Sequence, residues 1–198
     1  MDPVGPTPTA PTVERPVRVP AGANPEGDGI VNGAGPVTVD AYIDFQCPFC
    51  RMFEEQSGPA LRRMAAAQGL ISLVYHPLAF LDALSTTHYS SRASSSSGCA
   101  ADGGKFDAYL VALFANQPPE GGPGLSDDEL IQIGHVVGLD EGTFDRCVAA
   151  RAYLPWTAYV TARAAARGVQ GTPTVFVAGT PVPANARTIA TAVAAVDT

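Results

Sequence analysis

A chain of 198 residues that is 46 % hydrophobic carries enough apolar side chain for one core, or one core with an inserted subdomain, and too little for two independent domains. Twelve basic against nineteen acidic residues give a net charge of −7, and with no basic stripe neither a nucleic-acid partner nor an anionic membrane surface is favoured. No run reaches the roughly 20 consecutive apolar residues that span a bilayer; the nearest, Leu70 to Leu84, is broken by His76 and Asp82.

Residues 1–35 are dense in proline (Pro3, Pro6, Pro8, Pro11, Pro16, Pro20, Pro25) and glycine, with almost no large apolar side chains. Such a segment reads as a disordered arm or linker, either a stalk to a membrane anchor or a dispensable tail. Met1-Asp2-Pro3 has neither the basic start nor the apolar run of a signal peptide. The expectation is therefore a cytosolic chain, or one from which an export signal or anchor has been removed.

From Val37 to Phe45 the β-branched and aromatic content predicts a buried strand. Arg51 to Gln68 predicts a helix with Phe53, Ala60, Leu61 and Met64 on one face, kinked near residues 55–59 by Gly58-Pro59 and ended by Gly69. Leu70 to Tyr75 predicts a second strand. Between 83 and 150 the signals are helical only. The run Ser90 to Cys99 is weak in helix propensity and is expected to fray unless Cys99 is tied down. Phe106, Tyr109, Leu110, Leu113 and Phe114 mark an amphipathic helix, Ser126 to Glu129 a capping box, and Asp140 the cap of a short helix carrying Phe144 and Cys147. Trp156 to Arg167 predicts a helix stopped by Gly168. Then Thr172-Pro173 enters a strand, Gly179-Thr180 turns a hairpin, Pro181-Val182 forms an edge strand, and Ala186 to Val196 closes as a helix.

Cys47-Pro48-Phe49-Cys50 is where two reactive side chains stand at a spacing with chemical meaning. Two thiols so spaced can close into a small disulfide or open to a dithiol. At the start of a helix, unsatisfied N–H groups and the helix dipole favour the first as thiolate, which makes Cys47 the candidate nucleophile. The same spacing supplies half of many zinc sites, but Cys99, Cys147, His76, His88 and His135 are not at paired short spacings, and no metal is expected. His76 and His135 read as surface or satisfied core; His88, just before the serine run, could approach the site. Glu54 and Glu55 read as a solvated helix face.

The order of elements, together with Tyr42-Ile43-Asp44-Phe45-Gln46-Cys47-Pro48-Phe49-Cys50, the Phe53-Glu54-Glu55 continuation and Gly171-Thr172-Pro173-Thr174 before an apolar strand, resembles the thioredoxin-fold thiol-disulfide oxidoreductases. The DsbA-like branch, with an inserted helical subdomain, is the nearer resemblance, over roughly residues 36–198. It implies an α/β thioredoxin-like fold in two parts, 36–82 and 151–198, around a helical insertion at 83–150. Cys47 would attack a substrate disulfide and Cys50 would resolve the mixed disulfide. In the family, the bond before the proline that Pro173 resembles is cis and lies against the disulfide, leaving the Thr172 backbone to pair with an extended substrate. Pro48 and Phe49 would tune the pair. Phe49 stands where many relatives have a histidine and supplies no charge, so the helix start alone would support a thiolate.

The resemblance implies no cofactor. Its partners would be exported proteins with reduced or mispaired cysteines and a membrane or soluble redox partner that recycles the pair, in an extracytoplasmic setting. Dithiol oxidase is the expected direction; isomerase or reductase is the alternative, and a redox-inactive binding module with the pair as a staple is the non-enzymatic one. Cys99 with Cys147 is one of three possible pairings. It would close a loop of about 49 residues and stabilise by up to roughly 4 kcal/mol; two buried free thiols are the alternative.

Overall fold

The computed structural model describes residues 14–196. In chain order the elements are β1 (Ile30–Asn32), β2 (Val37–Asp44), α1 (Pro48–Arg62), β3 (Ile71–Leu78), α2 (Tyr89–Asp102), α3 (Phe106–Ala115), α4 (Asp127–Val136), α5 (Thr143–Ala149), α6 (Leu154–Ala166), β4 (Thr174–Val177), β5 (Thr180–Val182) and α7 (Ala186–Val196). Among the described residues, no helix is long and apolar enough to cross a membrane.

The strands form one sheet ordered β1-β3-β2-β4-β5. β2 and β3 are parallel, from Val37 opposite Ile71 to Asp44 opposite Leu78, and are joined through α1; the other pairs are antiparallel. β2 lies centrally and is buried at every position but Thr38, as expected of a strand covered on both faces. Helices α2 to α5 are inserted between β3 and α6 and share one core with the sheet, including Phe106, Tyr109, Phe114, Phe144 and Trp156.

The helix predicted over Arg51 to Gln68 forms, and it runs on through Pro59. It widens in its last turn, Arg63–Ala67, into a π-turn in which the Gln68 N–H reaches Arg63 O at 3.0 Å. Gly69 then reverses the chain at φ +61°. The capping box at Ser126 is present in full. Asp140 caps α5 by accepting the Thr143 N–H at 2.6 Å. The β4–β5 turn is centred one residue earlier than predicted, on Ala178 and Gly179, both at positive φ as a two-residue hairpin requires.

One expectation needs larger correction. Within the segment read as a disordered arm, residues 1–13 lie outside the described residues, but 14–35 are folded against the body. Sparse in apolar side chains, this stretch supplies polar partners instead. Gly27 O accepts the indole N–H of buried Trp156 at 2.9 Å, Glu26 O accepts the Tyr159 hydroxyl at 3.0 Å, and Ile30 pairs with Tyr75 as part of β1. A buried tryptophan N–H without a partner would cost about 1–3 kcal/mol, so this arm completes the core electrically.

The serine run meets the condition set for it, because Cys99 is tied down by a disulfide to Cys147. It does not fray: α2 is the most enclosed helix of the insertion, buried from Ser94 through Ala101 without a break. Its hydroxyls hold it as well. Ser94 donates to Pro77 O (2.9 Å) and accepts from Thr157, Ser95 accepts the Tyr153 N–H (3.1 Å), and Ser96 accepts the Tyr109 hydroxyl (3.0 Å). Each such bond is worth about 0.5–1.5 kcal/mol net, more than the few tenths lost per serine in propensity. Small side chains also admit close neighbours: a Cβ on Gly98 would lie 2.8 Å from the Tyr153 ring. Cys99 and Cys147 are joined by a disulfide that ties α2 to α5, with Cα atoms 5.8 Å apart.

Candidate active site

The sheet register builds the site. β2 ends at Asp44 and delivers the chain through Phe45 and Gln46 to Cys47, the N-cap of α1. Pro48 takes the first helical position, where a missing N–H costs nothing. β4 runs antiparallel beside β2 with Thr174 opposite Tyr42. The two residues before β4, Thr172 and Pro173, therefore fall at the same end of the sheet as Cys47, although 125 positions separate Thr172 from it in sequence. The Thr172–Pro173 peptide bond is cis, and the Cys47 thiol donates to Thr172 O at 3.3 Å.

Both thiols are reduced and both are buried, Cys47 at 4 % exposure and Cys50 at 0 %. Of the two thiols Cys47 is the less enclosed, and the exposed apolar surface at the start of α1 belongs to Phe49 (66 %) and Met52 (47 %). Their electrostatics differ sharply. Cys47 is lowered to about 6, chiefly by a hydrogen bond from the Cys50 thiol, against the opposing effect of burial, with help from the Thr172 side chain and the N–H groups of Cys50 and Phe49. Cys50 is pushed well above its usual range by burial and by the neighbouring Cys47 charge. Phe49 thus contributes through its backbone N–H, the group its side chain cannot replace.

Two residues to which the sequence assigned no role hold this turn. Gln117, just past α3, donates its amide to Phe45 O (2.9 Å) and Cys47 O (3.0 Å). Asp44, wholly buried, accepts the Gln46 N–H (2.9 Å), the Leu81 N–H (3.0 Å) and the Ser90 hydroxyl (2.7 Å). Burial pushes Asp44 up to about 6. A carboxylate at the end of a buried strand, three residues before Cys47, was the available signal for Asp44. Gln117, in a proline-rich loop, had none.

Other candidates fall elsewhere. Glu54 is not on a solvated face: it is buried, bonded to Arg62 and to the Tyr75 hydroxyl (3.1 Å), while Glu55 is exposed and paired with Arg51 (2.8 Å). A polar side chain at that helical position faces the sheet because Tyr75 and Arg62 satisfy it. His76 is a satisfied core residue between Asp28 O (2.7 Å) and Asp40 (3.0 Å). His135 pairs with Asp145 at 2.7 Å, and His88 is exposed beside Asp82 at 3.3 Å. Among the described residues, no cluster of three or more His, Cys, Asp or Glu is placed to hold a metal.

With this geometry in view, the Thioredoxin family model matches residues 27–198. The chain belongs to the thioredoxin family. Among solved structures, this family member resembles reduced DsbA from Mycobacterium tuberculosis, with 31 % identity, TM-score 0.69, and coverage of 79 % of this chain and 85 % of that one. It also resembles the reduced disulfide bond oxidoreductase DsbG from Mycobacterium tuberculosis, with 32 % identity, TM-score 0.70 and coverage of 81 % and 82 %. These neighbours are thiol-disulfide oxidoreductases, and the five-stranded mixed sheet with its helical insertion is their fold. A curated relative, the Na(+)/H(+) antiporter NhaA 3 of Salinispora tropica, is 30 % identical over 144 residues; the match takes in 73 % of this chain but only 20 % of the length of that relative.

Proposed function

We propose that this thioredoxin-family chain is a thiol-disulfide oxidoreductase that exchanges disulfides with exported proteins through Cys47 and Cys50, running chiefly as a dithiol oxidase. The observation that carries the reading is the asymmetry of the pair beside Thr172 and Pro173: one thiol lowered to about 6 at a helix start, its partner raised and enclosed. With such a value Cys47 is about nine-tenths ionised at pH 7. Thiolate stabilisation favours the reduced pair and therefore makes the disulfide the stronger oxidant.

In the forward direction a substrate thiolate attacks Cys47 Sγ of the Cys47–Cys50 disulfide. The S–S bond breaks, a mixed disulfide forms, and Cys50 leaves as a thiolate that takes a proton. A second substrate thiolate attacks the substrate sulfur of the mixed disulfide and expels Cys47 as its stabilised thiolate. The substrate has lost two electrons and the dithiol has gained them; a disulfide on a recycling partner, membrane-bound or soluble, takes them away. Deprotonation of Cys47 also releases Thr172 O from the thiol, freeing a backbone acceptor for an extended substrate segment. Phe49 and Met52, in the first turn and a half of α1, offer exposed apolar surface. The antiporter relative supports a setting beside a membrane, and the Cys99–Cys147 disulfide supports an oxidising compartment.

The test is the equilibrium of the pair with glutathione, combined with oxidation of a reduced, unfolded protein. A potential clearly above that of thioredoxin, about −270 mV, together with substrate oxidation lost in Cys47→Ala, is the expected result. A value near thioredoxin's would turn the assignment to a reductase. Failure of Cys50→Ala to trap a mixed disulfide would favour the redox-inactive binding module.

A further inference from the structure

Asp44 stands between the two cysteines and the helical insertion. Its carbonyl accepts the Cys47 N–H at 3.0 Å, and its own N–H donates to Cys50 Sγ at 3.4 Å. Its carboxylate accepts from Gln46 within the turn, but also from Leu81, which leads into α2, and from Ser90 on α2. All three donors are neutral. An ionised carboxylate here is solvated by fixed dipoles in place of water, and in that low-dielectric setting its field acts strongly on any second charge.

The second charge is the Cys47 thiolate. It helps hold Asp44 protonated, and by reciprocity an ionised Asp44 opposes it. The titratable groups facing Asp44 are Cys47 and Cys50 of α1 and Tyr89 of α2.

We propose that Asp44 is a positioning residue through which the helical insertion restrains the dithiol: Ser90 and Leu81 hold its carboxylate ionised near Cys47, and that charge opposes the thiolate and tempers the oxidising strength of the pair. The inference rests on the oxidoreductase reading above. It also assigns the serine-rich helix a part in the chemistry, because Ser90 tunes Asp44 without touching either sulfur. Removing the Ser90 hydroxyl takes one donor from the carboxylate, shifts Asp44 toward its neutral form and relieves Cys47.

The experiment compares wild type, Ser90→Ala, Asp44→Asn and the double variant. The Cys47 thiolate is titrated by absorbance in the reduced proteins, and each pair is equilibrated with glutathione. Asp44→Asn should raise the thiolate-to-thiol ratio of Cys47 about tenfold, the equivalent of one pKa unit. Ser90→Ala should raise it about threefold, within the range of one lost hydrogen bond, and both should make the pair more oxidising. In the double variant Ser90→Ala should add nothing, since its effect passes through the carboxylate.

The amide introduced by Asp44→Asn places a donor against the Leu81 or Gln46 N–H, so that variant is the more prone to misfold; Ser90→Ala then carries the test alone. Two results overturn the inference: an unshifted Cys47 titration in Ser90→Ala, or a full Ser90→Ala effect in the double variant, where position 44 carries no charge. In either case wild-type exchange with glutathione leaves the oxidoreductase reading standing. A wild type that does not exchange overturns both.

Discussion

Replacing Thr172 by valine keeps the shape of the residue before Pro173 and removes its hydroxyl, which lowers the pKa of both cysteines. The backbone carbonyl that accepts the Cys47 thiol stays in place. A hydrogen bond to a charged group contributes about 1.5–3 kcal/mol, so the Cys47 value should rise from about 6 by roughly one to two units. The thiolate at pH 7 would fall from about nine-tenths to half or less. Because the thiolate stabilises only the reduced form, and at pH 7 only to the extent that it is populated, the potential should drop by about 20–30 mV, 30 mV corresponding to about 1.4 kcal/mol for two electrons. Absorbance titration of the reduced protein gives the first number, and glutathione equilibrium gives the second. An unchanged Cys47 titration would refute the hydroxyl's part, and a shifted titration with an unchanged potential would refute the link from thiolate stability to oxidising power.

Gln117→Ala removes a donor from Phe45 O and Cys47 O; we expect a loss of about 1 kcal/mol in stability and slower substrate oxidation, with Gln117→Glu failing to rescue because a carboxylate cannot donate, checked by denaturant melts and single-turnover kinetics. Cys99→Ser with Cys147→Ser opens a loop closed across 48 positions and should cost up to about 4 kcal/mol, read as a lower Tm, while the Cys47 titration stays where it is. Stability of the reduced protein should depend on pH through Cys47. Its folded value, about 6, lies below that of an unfolded cysteine, so its contribution is present in full above roughly pH 8.5 and is lost as pH falls through about 6. Asp44 runs the other way, its contribution full below roughly pH 4 and lost as pH rises through about 6. Melting the oxidised protein, which lacks the Cys47 titration, separates the two.

The chemistry of this chain was legible wherever a local pattern carries its own physics. The β-branched strand ending just before Cys47, the proline at the first turn of α1, the capping box at Ser126 and the Thr172-Pro173 entry to β4 each declare a backbone geometry, and the family resemblance joined the strand, the proline and Thr172-Pro173 into one sheet end. What stayed hidden is polar pairing across long separations. Ser94 and Thr157, or Trp156 and Gly27, meet only after the chain has folded, and a serine reads as a poor helix former until the acceptor opposite it is known. The arm before β1 was misread for the same reason: its composition lacks apolar burial, but its carbonyls serve the donors of α6. Asp44 joins the two kinds of information. Its place at the end of a buried strand is local, while the donors that make its charge tolerable come from 37 and 46 positions away. A carboxylate there without Leu81 and Ser90 would be neutral or unfolded, so the insertion is a condition for that residue, and the dithiol turn and the serine-rich helix are parts of one electrostatic unit.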